Sequence, residues 1–115
     1  MKGVVNNLGS KHWKYQRYSA LVLAPIILWL LVRIIFRPEL SYVEAKQWLA
    51  LPTSFLLLVL AIGVMCFHAV IGIQVVLEDY VSNCRLQKQL VNLVRWSAVL
   101  ITVCSVGAIL FTWTQ

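Results

Sequence analysis

The stretch TSFLLLVLAIGVMCFHAVIGIQVVL, residues 53–77, decides the fold of this chain, because it runs for twenty-five residues without a formal charge. A bilayer hydrocarbon core of about 30 Å is crossed by roughly 20 apolar helical residues. The segment is therefore predicted to be a transmembrane helix. Pro52 stands just before it, where its missing N–H has no helical partner to lose.

Two further runs of the same kind flank it. The first extends from about Tyr18 to Phe36, with Arg33 near its end, able to snorkel outward, and Pro25 inside, where a membrane helix tolerates the lost hydrogen bond. The last extends from about Leu90 to Trp113, with Arg95 near its beginning and Trp113 placed as an interfacial anchor. The expected fold is all-α: a single membrane-anchor domain over residues 1–115 with spans at 18–36, 53–77 and 90–113. The whole composition agrees, at 61% hydrophobic and 12% charged over 115 residues, which leaves too few polar side chains to cover a soluble surface.

Between the first two spans, residues 42–49 read as a brief amphipathic helix on the membrane surface, with Trp48 at headgroup level. The second connection is expected over residues 78–89. The N-terminal tail, residues 1–17, shows no short apolar region with a small-residue cleavage site, so the first span is expected to direct insertion itself.

The net charge of +6 does not point to nucleic acid, because the basic residues flank the apolar runs instead of forming one patch. Lys2, Lys11, Lys14 and Arg17 in the tail, with Arg85, Lys88 and Arg95, make seven on one side; Arg33, Arg37 and Lys46 make three on the other. Positive charge is retained on the inner side of a membrane, so the N-terminus is expected to be cytoplasmic and the C-terminus periplasmic. The cysteines, Cys66, Cys84 and Cys104, lack metal or redox spacing, and the two within apolar segments read as small hydrophobes.

Ionisable groups inside a bilayer are costly and call for a functional reading. His68 lies well inside the second span, with Gly72 one turn on along the same face. A neutral imidazole there has two uses: as an axial ligand to haem iron, or as a hydrogen-bonded bridge between helices. At the end of the same helix stand Glu78, Asp79 and Tyr80. Asp79 falls on nearly the His68 face, about 16 Å further along the axis. A phenol and a carboxylate at the membrane boundary suit a quinone, one donating a hydrogen bond to a carbonyl and the other delivering protons; a solvated interfacial pair is the plainer alternative. Arg17 reads as a positive-inside anchor or as a partner for a carboxylate at the depth of His68. His12 is expected at the surface, and Gln74, off the His68 face, is expected to bond a neighbouring helix.

The run HAVIGIQVVLEDYV, residues 68–81, resembles the signature of the smaller hydrophobic membrane anchor of succinate dehydrogenase, the D-type cytochrome b anchor: a histidine, a glycine four residues on, and an Asp-Tyr pair at the helix end. Length, three spans, an inward N-terminus and an arginine before the first apolar run match as well. The resemblance implies that His68 is one axial ligand of a haem b, that Tyr80 hydrogen-bonds ubiquinone with Asp79 beside it for proton delivery, and that Arg17 lies near the haem propionates. It implies partners too: a sister cytochrome b anchor carrying the second ligand, an iron–sulfur subunit and a flavoprotein that oxidises succinate. This chain has neither a dinucleotide fingerprint nor cysteine clusters for that chemistry. The resemblance places the chain in a bacterial inner membrane as a respiratory complex II subunit with no independent catalytic activity. Fumarate reductase or another b-type cytochrome anchor, and a non-redox assembly or transporter subunit, are the competing expectations.

Overall fold

The computed structural model describes residues 2–37 and 39–114, with side chains from residue 10 onward. It contains four helices: α1 (Lys2–Ile35), α2 (Tyr42–Ala50), α3 (Pro52–Tyr80) and α4 (Cys84–Thr114). Three of them are long and apolar enough to cross a membrane, over Ser10–Ile35, Pro52–Tyr80 and Cys84–Thr114. The three-span, all-helical expectation holds.

The helices outrun the apolar segments that announce them. α1 begins at Lys2, far ahead of the hydropathy rise at Tyr18. Hydropathy marks where the chain meets an apolar medium, whereas the helix begins wherever backbone pairing can start. The second connection shrinks to residues 81–83. Asn83 makes this possible: its Oδ1 accepts from the backbone N–H groups of Arg85 (3.0 Å) and Leu86 (3.3 Å), capping the start of α4.

The short helix α2 is set by a capping box. The Glu44 N–H donates to Ser41 Oγ (3.3 Å), and the Ser41 N–H donates to the Glu44 carboxylate (2.9 Å). The backbone then turns extended at Leu51, and Pro52 opens α3. Two aromatic pairs tie this corner down. Trp48 stacks on Trp29 of α1 at 5.7 Å between centroids, and Trp113 of α4 stacks on Phe55 at 5.6 Å. The Trp113 indole N–H also donates to the Ala50 carbonyl at 2.8 Å. Trp48 is half-buried against Trp29 of α1, and its indole N–H has no acceptor among the described residues.

α3 is the central helix. It packs against both α1 and α4, which do not pack against each other among the described residues. Among the described residues the buried positions are few and mostly small: Ser19, Ser54, Ala61, Ile26 and Ile71. Small residues let membrane helices approach closely where no hydrophobic effect drives them together. Large apolar side chains such as Leu21, Leu56, Leu100 and Phe111 point outward, which suits lipid or partner helices and not water. In α4, Ser97, Thr102 and Thr112 return their hydroxyl protons to carbonyls of their own helix, which satisfies them without a partner helix.

Candidate functional site

The site is built where α1 crosses α3. Ser19, 5% exposed, donates its hydroxyl proton to the Gln16 carbonyl at 3.0 Å. Its Oγ also lies 2.8 Å from His68 Nδ1. When the hydroxyl proton goes to that carbonyl, Oγ is left to accept from Nδ1–H, the tautomer that would place the imidazole lone pair at Nε2. That lone pair is met by the Gln16 side-chain amide, Nε2 to Nε2, at 3.3 Å. The contact is long, and the other end of that amide, Gln16 Oε1, is buried without a partner.

Gly72 completes the arrangement. A Cβ built there would stand 3.2 Å from Gln16 Nε2. The glycine therefore keeps open a small cradle beside His68 Nε2, which the end of a flexible glutamine side chain fills. Spacing pairs His68 with Gly72, and the fold brings both to α1. Gln16 and Ser19 escaped sequence reasoning. Their only sequence signal is two polar residues three apart at the entry of the first span.

Arg17 neighbours both of these residues in sequence and so sits at the depth of His68. Its guanidinium lies 4.4 Å from the centroid of the Trp13 ring, an exposed cation–π pair. Asp79 and Tyr80 occupy the last turn of α3, Tyr80 at 85% exposure, and neither is held by a hydrogen bond among the described residues. The structure therefore joins His68, Gly72, Gln16 and Ser19, keeps Arg17 at their level, and leaves Asp79 and Tyr80 at the open helix end.

A second polar chain runs on another face of α3. Arg95 of α4 donates to Gln74 Oε1 at 3.1 Å, and Gln74 Nε2 donates to Glu78 Oε1 at 2.8 Å. His12 Nδ1 approaches Glu78 Oε2 at 3.9 Å. Gln74 thus bonds a neighbouring helix as expected. His12, expected at the surface, is partly covered, with 24% of its side chain exposed, and places the beginning of α1 at the same end of the bundle as the end of α3.

Comparison with known proteins agrees with this architecture. Residues 2–112 match the profile of the succinate dehydrogenase/fumarate reductase transmembrane subunit. A succinate dehydrogenase hydrophobic membrane anchor subunit from Rickettsia bellii is 34% identical over 104 residues, covering 90% of this chain and 82% of the relative. Proteins of the same description from Rickettsia prowazekii and Rickettsia felis are 29% and 28% identical over 90% and 91% of this chain, and over 83% and 88% of their own lengths. These findings displace the reading of a non-redox transporter or assembly subunit. The chain belongs to the family of succinate dehydrogenase hydrophobic membrane anchors, and is a multi-pass membrane subunit of that oxidoreductase class.

Proposed function

We propose that this chain helps bind haem b and complete ubiquinone reduction within a bacterial inner-membrane succinate:ubiquinone oxidoreductase. The observation that carries the reading is the pair of contacts on His68, one at each ring nitrogen: Ser19 Oγ at 2.8 Å from Nδ1 and the Gln16 amide at 3.3 Å from Nε2. With Ser19 Oγ accepting from Nδ1–H, Nε2 would present a lone pair to the cradle beside Gly72. Metal-bound histidines ordinarily hold their other nitrogen in this way. The donor set fits: the amide proton that Gln16 offers is a weak electrophile at the point where an iron would take the same lone pair, and the unpartnered Gln16 Oε1 costs little to move.

His68 would be one axial ligand, Gly72 would give the flat macrocycle its clearance, and Arg17 would turn from Trp13 to a propionate. A bound haem b supplies one-electron transfer close to the quinone. The second ligand comes from a sister cytochrome b anchor, while an iron–sulfur subunit and a flavoprotein oxidising succinate supply electrons. Tyr80 donates its phenolic proton to a quinone carbonyl as a hydrogen bond, and Asp79 delivers protons as two electrons and two protons turn ubiquinone into ubiquinol. Their exposure at the helix end leaves them open to a quinone and to partner subunits. The end shared by His12, Glu78 and the start of α4 faces the cytoplasm, by the seven-to-three distribution of Lys and Arg.

The purified complex tests the reading. His68→Ala should alter or remove the reduced-minus-oxidised haem spectrum; an unchanged spectrum dismisses His68 as a ligand. Tyr80→Phe should lower ubiquinone reductase activity while subunit composition stays intact, and wild-type turnover refutes its role. The bound quinone, identified after extraction, separates this reading from a menaquinone-linked fumarate reductase.

A further inference from the structure

On the opposite side of α3 from His68 and Asp79, the splayed helices α1 and α4 leave a groove of about 750 Å³. Its floor and walls are apolar, formed by Gly63, Phe67, Val70, Val99 and Val103. At one end it meets Arg95 and Gln74, which also line a polar pocket of about 380 Å³ with Glu78, Lys88 and Asn92. The two spaces share that pair, so they form one feature: an apolar trough with a polar, basic mouth.

At about 100° per residue, Gly63, Phe67, Val70 and Gln74 cluster on one face of α3, roughly opposite the face of His68 and Asp79. The trough floor from Gly63 to Gln74 spans about 16 Å at ~1.5 Å per residue, close to half the ~30 Å hydrocarbon thickness. It is the length of one leaflet. The mouth carries two cations, Arg95 and Lys88, against one carboxylate, Glu78, whose Oε1 is already held by Gln74. Among the described residues Arg95 bonds the neutral amide of Gln74, which in turn donates to Glu78, and it is otherwise exposed inside a candidate span with no ion pair of its own.

We propose that this groove is a binding site for one anionic phospholipid. Its phosphate is held by Arg95, with Lys88 nearby, and one acyl chain lies along the Gly63–Phe67–Val103 trough. Guanidinium pairs with phosphate oxygens through two parallel hydrogen bonds, so the headgroup supplies the counter-charge that the protein withholds. A neutral isoprenoid would fill the trough but leave the cation unpaired. The site is separate from the redox face and does not depend on haem or quinone binding there.

The test uses the intact detergent-purified complex, partly delipidated and titrated with phosphatidylglycerol or phosphatidylcholine under native mass spectrometry. Wild type should hold one more phosphatidylglycerol per copy of this chain than Arg95→Gln, with at least tenfold preference over phosphatidylcholine. Gly63→Phe should lose the same lipid by filling the trough, since a Cβ there meets nothing within 4 Å and the added side chain has room. Equal lipid retention in wild type and Arg95→Gln overturns the proposal, as does equal binding of phosphatidylcholine. Cross-linking of Val99→Cys to a sister subunit in good yield also overturns it, because a partner helix then fills the groove. The haem spectrum and quinone turnover, read on the same samples, keep failure of this site distinct from failure of the redox reading.

Discussion

Ser19→Ala removes one oxygen atom and asks what His68 is for. In the native bundle, Ser19 Oγ lies 2.8 Å from His68 Nδ1 and, in the tautomer the ligand role requires, accepts from its N–H, in a setting where Ser19 is only 5% exposed. The alanine variant leaves that N–H without an acceptor. An interhelical hydrogen bond of this kind is worth about 0.6 kcal/mol on average in a membrane bundle, and at most about 1.7. Stability should therefore fall by about 1 kcal/mol, roughly fivefold in the folding equilibrium, whatever the role of the histidine. A ligand histidine that loses the acceptor on its other nitrogen suffers further, because ring orientation, tautomer and basicity are all relaxed. Loss of such an outer partner typically costs ten- to hundredfold in metal affinity.

The two roles therefore separate by readout. Haem retention is followed in the purified complex as the rate of haem transfer to an excess of a haem-scavenging apoprotein, with thermal unfolding measured in parallel. Under the ligand role, Ser19→Ala should lose haem about ten to a hundred times faster while unfolding only slightly earlier. Ser19→Thr keeps the hydroxyl and should restore most of the retention. If Ser19→Ala keeps haem within twofold of wild type, the proposed support of His68 by Ser19 is wrong, and His68 serves as a bridge between α1 and α3.

Three further perturbations probe other parts of the argument. Gly72→Ala brings a methyl to about 3.2 Å from Gln16 Nε2, so the amide should swing aside at a cost of less than about 1 kcal/mol, whereas Gly72→Leu should abolish the haem absorbance by occupying the cradle; equal spectra for the two would show that the clearance is immaterial. The Glu44 carboxyl is held below the usual carboxylate range, first by the Ser41 backbone N–H, then by the Ser41 hydroxyl, with Arg37 assisting. A depressed folded-state value means that its stabilisation of α2 is complete above the ordinary carboxylate value and is lost as pH falls through the folded one; amide-exchange protection of residues 42–46 should drop on acidification in wild type and stay flat in Glu44→Gln. Trp113→Phe keeps the stack on Phe55 but deletes the N–H donated to Ala50, and should lower the unfolding midpoint by an amount equivalent to about 1 kcal/mol; an unchanged midpoint would mean that the stack alone fastens α4 to the corner.

Much of this is legible in the sequence, for identifiable reasons. Twenty-five uncharged residues at 53–77 can hardly do anything but span a bilayer, and the amphipathic pattern of 42–49 marks the short helix, whose Ser41–Glu44 cap emerges only in the structure. His68 and Gly72 stood out because polar and glycine residues are conspicuous against leucine and valine. What could not be read was the rotation of one helix against another. Nothing in the spacing of Gln16 and Ser19 says which face of α1 meets α3, and that angle determines both which imidazole nitrogen is protonated and what occupies the cradle. Arg95 shows the same limit. Near the beginning of an apolar run it passes as a topology marker, and only the placement of α4 beside Gln74 reveals it as the basic mouth of a groove.

The distribution of polar groups on α3 follows from its central position. A soluble bundle this size would be specified by a large apolar core, but here that core among the described residues is only Ile26, Ala61 and Ile71, because surrounding lipid is as apolar as any helix interior. Registry must then come from groups that lipid cannot satisfy. His68 fixes α3 against α1 through Ser19 and Gln16; Gln74 fixes it against α4 through Arg95; Trp113 fixes α4 against the end of α2. The same links that set registry leave three groups without a strong partner among the described residues: His68 Nε2, met only by a long contact to the Gln16 amide, the Arg95 cation, without a carboxylate of its own, and the exposed Asp79–Tyr80 pair. An isolated globular protein would resolve such groups internally. Under the proposed function such a subunit is instead completed by what it gathers, a metal at His68 and a quinone at Asp79 and Tyr80, and under the further proposal an anionic headgroup at Arg95.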